Sequence, residues 1–483
     1  MQFLTIQRIL GILLSLFSVT LLPPIAVSLF YDDGSTQAFV DAFALLFIAG
    51  LLIWLPVRNH KKELKIRDGF LIVVMFWVTL GLSGAAPLFL SQVPSMTFTD
   101  AVFESISGLT TTGATVLTGL DDLPRGILFY RQFLSWLGGM GIVVLAVAIL
   151  PLLGVGGMQL YRAETPGPMK DSKLTPRITE TAKALWFIYL GITVACALAF
   201  RWAGMSWFDA VGHSFTTVSL GGFSTHDGSI GYFNSVTVEM ITVVFMLISG
   251  MNFTLHFLAW RLRSIRHYGS DAELRTFLVI LFGVAAVTAA YLYFTHTFTD
   301  PWVAIHEALF QTISIGTSAG FTTSEFYFWP SFVPILLLMT SYIGGCAGST
   351  GGGIKVIRVM LLFKQGYREV LRLIHPNAIF AIKVNDKAIP RKVVGAVWGF
   401  FALYVFCFGT MHLFLMATGL DIITSFSAVT ACLNNLGPGL GEVGANFGSI
   451  NSPAKWMLCM AMLLGRLEIF TLLVVLSPAF WRR

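Results

Sequence analysis

The chain has 483 residues, of which 55% are hydrophobic and only 12% charged, with a net charge of +6. A soluble domain carries about 25% charged residues, so the composition excludes an ordinary globular enzyme and points to a helical membrane protein. The positive balance does not signal nucleic acid, because most of the 31 lysines and arginines sit in a few segments beside or between apolar runs: Arg8, 58–67, 155–183, 261–275, 355–392 and Arg482–Arg483.

Apolar runs fall at 9–31, 36–57, 69–91, 126–154, 182–204, 233–260, 274–297, 329–363, 393–418 and 453–477. Most are near the ~20 residues that one helical crossing needs. With the basic segments on the cytoplasmic side, as the positive-inside rule requires, the chain threads ten crossings and both termini are cytoplasmic. The same basic face suits anionic lipid headgroups. The first run lacks a small-residue cleavage site and is expected to be retained as a span. Cys196, Cys346, Cys407, Cys432 and Cys459 form no CxxC pair and lie in apolar stretches, which predicts buried packing residues.

After two N-terminal spans (1–68) the spans come in pairs, and between the members of each pair lies a segment too short and polar to cross. Four such segments align without a gap: "DAVFESISGLTTTGAT" from Asp100, "DAVGHSFTTVSLGGFS" from Asp209, "EALFQTISIGTSAGFT" from Glu307 and "TSFSAVTACLNNLGPG" from Thr424. The shared glycine is Gly113, Gly222, Gly320 or Gly437. Each segment predicts a short helix that dips into the membrane, begun by Asp, Glu or Thr, followed by a glycine-bearing turn that climbs out. The expected fold is all-α: four pseudo-symmetric repeats at 69–181, 182–273, 274–392 and 393–483, each a helix, a re-entrant helix and a second helix, around one axis.

Irregular backbone at membrane depth is tolerated only inside protein or along a water-filled cavity. Four such turns meeting at one axis could replace the hydration shell of a cation with backbone carbonyls. The residues expected to form that filter are Thr111, Thr112 and Gly113; Leu220, Gly221 and Gly222; Ser318, Ala319 and Gly320; and Asn435, Leu436 and Gly437. None of the turns spells the TVGYG of a fourfold filter, and Ala114, Phe223, Phe321 and Pro438 follow the glycines, so weaker discrimination among large alkali ions is expected.

"SGLTTTGAT", "GGFSTHD", "SAGFTT", "LNNLGPGLG", "GGCAGSTGGGIKVIR", "HPNA" and "FGSINSPAKW…GRLE" together resemble the TrkH/KtrB family of potassium-transport proteins, over essentially the whole chain. The resemblance implies potassium uptake across the bacterial inner membrane, a homodimer, and a cytosolic TrkA-like nucleotide-binding ring (NAD or ATP) as regulatory partner. It implies K⁺ as the transported ion. An alternative on the same scaffold is a symporter coupled to H⁺ or Na⁺.

Two constellations bear on gating. "SYIGGCAGSTGGGIKV" interrupts the eighth run. It is not a P-loop, because Ile354 separates Gly353 from Lys355 and no strand precedes it, so this chain is expected to bind no nucleotide itself. Its glycines, Gly344, Gly345, Gly348, Gly351, Gly352 and Gly353, predict a loop across the pore below the filter, and the resemblance implies the same. Arg466 reads as the one basic residue deep in a span, facing protein or water, and the resemblance implies a positive residue near the gate. Glu104 and Glu307 are expected to be structural hydrogen-bond partners, and His213, His256 and His306 to be packing residues. No HExxH, GxSxG or paired-carboxylate pattern occurs, so no enzymatic activity is expected.

Overall fold

The computed structural model describes all residues except 61, 63, 140, 142–177, 386 and 483. The basic segment 155–177 and the second half of the run 126–154 lie outside the described residues.

The N-terminal pair is α1 (Phe3–Val19) continued by α2 (Leu22–Tyr31), and α3 (Thr36–Trp54). α1 and α3 pack backbone to backbone: a side chain at Gly11 would come within 2.9 Å of the Gly50 carbonyl. Small residues at such crossings are how helices associate in lipid, where burial of apolar surface gives no drive.

Four successive units follow. The first contains α4 (Ile66–Ser83), the short α5 (Phe98–Leu109) and α6 (Arg125–Gly139). The second has α7 (Ile178–Trp202), the short α8 (Trp207–Ser219), then α9 (Val236–Gly250) and α10 (Phe253–Leu262). The third has α11 (Ala272–Phe294), the short α12 (Pro301–Gly316), α13 (Phe332–Ser341) and α14 (Val356–Ile374). A hairpin, β1 (Lys383–Val384) and β2 (Lys387–Ala388), leads to the fourth: α15 (Arg391–Ala417), the short α16 (Ile422–Leu433), α17 (Ser452–Arg466) and α18 (Phe470–Leu476). The first helix of each unit begins a few residues before the boundary read from hydropathy.

Six helices among the described residues are long and apolar enough to cross a membrane, and eight if two bent pairs each count as one span. The runs 233–260 and 453–477 are those pairs. α9 and α10 meet at 91°, and α17 and α18 at 117°. Hydropathy alone predicts straight spans there, because apolar side chains continue through both breaks. At the second break Glu468 and Ile469 take left-handed backbone conformations, which no helix continues through. The expected eighth run is divided into α13, the glycine loop and α14.

The short helices are set by their caps. Thr97, Ser206, Asp300 and Asp421 accept hydrogen bonds from first-turn amides at Asp100 (3.2 Å), Asp209 (3.1 Å), Trp302 (2.9 Å) and Ile423 (2.8 Å). The acidic and threonine residues that begin the aligned segments therefore lie inside the helices, three residues past the cap in three units and deeper in the third. With 12, 13, 16 and 12 residues, these helices are too short to cross a bilayer, and their inner ends are buried.

Candidate ion-selective ring and the loop beneath it

Each short helix ends in the same turn. The residue two before the shared glycine is left-handed in all four: Thr111, Leu220, Ser318 and Asn435, with φ of 57°, 55°, 63° and 52°. Non-glycine residues adopt that region rarely, so a fourfold recurrence marks a turn imposed by surroundings. The next amide bonds back into its helix: Thr112 to Ser107, Gly221 to Thr216 and Ala319 to Ser314 at 2.8 Å, and Leu436 to Ala431 at 2.7 Å. The shared glycines follow, at φ of 79°, 64°, 78° and 100°.

The four turns close a ring in chain order. A side chain at Gly113 would strike the carbonyl of Gly221, one at Gly222 that of Ala319, one at Gly320 that of Leu436, and one at Gly437 that of Thr112, the last at 2.7 Å. Each glycine is thus pressed on the carbonyl of the residue that precedes the glycine of the next unit, and the fourth returns to the first. The twelve residues expected from the alignment are brought together here.

Buried and half-buried side chains brace the ring from behind. Glu104 accepts from Thr115 Oγ1 (2.9 Å), the Val116 amide (3.0 Å) and Arg131 Nε (2.6 Å). Arg131 also donates to Thr115 and lies over the Phe223 ring of the next unit at 4.3 Å. His213, at the position matching Glu104, bonds Ser224 at 2.9 Å with one ring nitrogen and the Asp209 carbonyl with the other. Glu307 accepts from Thr323 (2.7 Å) and Ser324 (2.9 Å). Asn435 donates to Thr112 Oγ1 at 2.9 Å and ties the fourth turn to the first.

The glycine loop lies against the inner ends of the short helices. The Gly352 amide donates to Ser318 Oγ at 2.6 Å, Thr350 Oγ1 donates to the Val218 carbonyl at 3.0 Å, and Gly352 abuts the Asn434 carbonyl. Arg466 closes the remaining side. It donates to Thr111 Oγ1 and the Thr350 carbonyl, each at 3.2 Å, and to the carbonyls of Gly138 and Gly139. It therefore touches the first turn and the loop together. Gly344, Gly348 and Gly353 hold positive φ (65°, 75° and 77°) within the loop, while Gly345 packs on Ser349 and the Gly250 carbonyl and Gly351 on the Thr317 carbonyl.

The expectation that Arg466 is the one deep basic residue fails. Arg131 is 1% exposed, Lys355 bonds the Gly351 carbonyl, and Arg358 pairs with Glu468. The sequence signal for Arg131, a cation within "FYRQFLSW", is of the kind that singled out Arg466. Glu468, in the break between α17 and α18, has its partner on α14. Lys355 interacts electrostatically with Glu468, Arg466, Arg358 and Glu273. His256 bonds Tyr268 and the Ile248 carbonyl, and His306 pairs with Glu239 at 2.8 Å.

Comparison with known proteins accords with this geometry. The TrkH model, described as "Cation transport protein", matches residues 35–483. The chain is 59% identical over 484 residues to the Trk system potassium uptake protein TrkH of Vibrio parahaemolyticus, covering all of both. It is 56% identical over 482 residues to TrkH of Escherichia coli K12, again covering all of both, and 43% identical to the E. coli K12 protein TrkG, over 99% of this chain and 98% of that one. The crystal structure of the potassium transporter TrkH from V. parahaemolyticus superposes with a TM-score of 0.91 over the whole of both chains at 56% identity. With its model matched over most of the chain and full-length relatives above half identity, the chain belongs to the TrkH family of cation transport proteins.

Proposed function

We propose that this chain is a potassium uptake subunit of the bacterial inner membrane, with both termini cytoplasmic, in which K⁺ passes down its electrochemical gradient through the ring of four turns. The relatives named as Trk system potassium uptake proteins supply the ion. The observation that carries the filter reading is the cyclic seating of Gly113, Gly222, Gly320 and Gly437 on their neighbours' carbonyls. It leaves backbone oxygens as the groups available to replace water around a cation. The units at 69–181, 182–273, 274–392 and 393–483 are the four quarters of that pore. The inside-negative potential drives entry with ~2.3 kcal/mol per charge per 100 mV.

The loop 344–353 and Arg466 form the gate in this reading, one by bulk and one by positive charge. The chain acts as a homodimer, and a TrkA-like cytosolic ring controls the gate through the 155–183 and 355–392 segments; the chain binds no nucleotide of its own. The test is flux by purified protein in liposomes containing K⁺, Rb⁺ or Na⁺, with and without the ring. Gly222→Val abolishes K⁺ flux or erases its preference over Na⁺ while the protein still purifies as a dimer. Unchanged flux and preference in that variant would overturn the filter. A reversal potential that moves with pH or Na⁺ at fixed K⁺ would replace the channel with a symporter.

A further inference from the structure

Glu273, in the first turn of α11, is 7% exposed. One of its carboxylate oxygens accepts two backbone amides, from Ala347 in the glycine loop at 2.7 Å and from Ile357 in α14 at 3.1 Å. Ile357 lies in the first turn of α14, where amides have no partner within the helix. The residue that precedes this helix, Lys355, supplies no side-chain cap, and its ammonium is turned to Gly351 instead. Glu273 is therefore a cap borrowed from another helix, with its carboxyl group at the positive end of α14, and it ties the loop to that end.

Glu273 is itself positioned from the hairpin that joins the third unit to the fourth. Asn385, between β1 and β2, accepts from the Ala272 amide at 2.8 Å and donates to Asp271 at 3.2 Å. Asp271 is the N-cap of α11, accepting from Leu274 at 2.8 Å. Ile382 and Val384 of the same hairpin are buried in one apolar cluster with Leu274, Cys346, Val356 and Ile357. Hairpin, α11 terminus, loop and α14 terminus are thus joined by a short polar chain lying over a shared apolar contact.

We propose that Glu273 is a latch that holds the glycine loop against the ring, and that the hairpin at 383–388 sets the latch. A cytosolic partner bearing on the hairpin would displace Asn385, shift the start of α11, and withdraw the carboxylate from both amides at once. This deepens the gate reading above and rests on it for its functional meaning.

Cys346 lies inside the loop and is 1% exposed, so it reports the loop's release without reference to flux. The experiment uses the full-length chain in liposomes without partner, with Cys196, Cys407, Cys432 and Cys459 replaced by alanine. It measures the rate at which a methanethiosulfonate reagent modifies Cys346, alongside K⁺ flux. Loss of two amide-to-carboxyl hydrogen bonds predicts that Glu273→Ala raises the modification rate on the order of tenfold or more. Glu273→Gln, which keeps an acceptor oxygen, stays close to the parent. Asn385→Ala, on the exposed hairpin, raises it by a smaller factor, and the double variant does not exceed Glu273→Ala, because Asn385 acts through Glu273.

An unchanged rate in Glu273→Ala at normal dimer yield overturns the latch, as does full additivity in the double variant. If Glu273→Ala does not fold, an unchanged rate in Asn385→Ala overturns the proposal. Faster modification with unchanged flux supports the latch and instead overturns the reading of the loop as the gate.

Discussion

Two kinds of glycine-bearing irregular backbone, the four ring turns and the loop 344–353, meet at the centre of this molecule, and they are held in different ways. Each ring turn is bonded back into its own short helix, from Thr112 to Ser107 and equivalently in the other three. Each is also wedged on its neighbour's carbonyl. The glycine loop follows no helix of its own: its backbone bonds to the break between α9 and α10, from Cys346 to the Gly250 carbonyl at 2.9 Å and from Phe253 to the Gly348 carbonyl at 3.1 Å. Side chains hold its rim: Thr350 on Val218, Ser318 on Gly352, Glu273 on Ala347, and Arg466 on Thr350. Glycine content does not separate a rigid element from a movable one. What separates them is whether the backbone is bonded into a helix of its own, or to a break between two helices of another unit with side chains at its rim.

The largest effect that tests this contrast comes from the ring's brace. Arg131→Ala leaves Glu104 buried without its cation, at a cost of ~3–5 kcal/mol, and is expected to sharply lower dimer yield or to abolish K⁺ preference. Arg131→Met with Glu104→Gln removes both charges and restores yield. Yield and preference unchanged in the single variant would show that the ring needs no brace.

The next effect concerns the loop. Arg466→Ala, or removal of two residues from Gly351–Gly353, raises K⁺ flux per folded dimer in the absence of the partner. The two changes together give less than the product of their effects, since both act at one constriction. Yield lost with no gain in flux per dimer would assign Arg466 a structural role and make the loop as fixed as the ring.

The smallest effect lies beside the second turn. His226, just past the second turn, is stacked on Tyr232 at 3.5 Å between ring centroids and lies between Asp121 and Asp209. Burial disfavours its charge, but the two carboxylates outweigh burial and raise its pKa. A raised folded-state pKa gives stabilisation that is fully present below about pH 6.5, the unperturbed value, and is lost as the pH rises through the folded value. Partial exposure keeps this below ~1 kcal/mol. The melting temperature of the parent therefore falls slightly between pH 6 and pH 9, and His226→Gln flattens that dependence. A pH dependence that survives the substitution would assign it to another group.

The ring was the most legible part of the chain because its requirement recurs. A glycine is needed at one place in each unit, and four gap-free copies make the need visible without a structure. The apolar runs also gave most of the helices. The breaks at Met251–Asn252 and Leu467–Ile469 were hidden, since hydropathy averages over a break that the backbone makes with apolar side chains still in place. The brace was hidden for a different reason: Glu104 and Arg131 sit on separate helices, and nothing local couples them. Glu273 lies where an apolar run begins beside a basic segment, and there an acidic residue reads as one more water-facing charge. The helix caps were displaced by one turn because Thr97 and Ser206 cap as well as the acids that follow them.

The closure of the ring in chain order has a consequence for what the covalent format permits. A pore assembled from four identical subunits must repeat every feature four times. Four copies of the segment 344–353 would compete for a space that one copy already fills, between the inner ends of the short helices and Arg466. Carrying the quarters on one polypeptide lifts that constraint. The glycine position stays common to all, while a single quadrant acquires an insertion and the adjacent one the guanidinium that meets it. Asymmetry inside a pseudo-symmetric frame is thus available to a fused chain and is denied to a homotetramer.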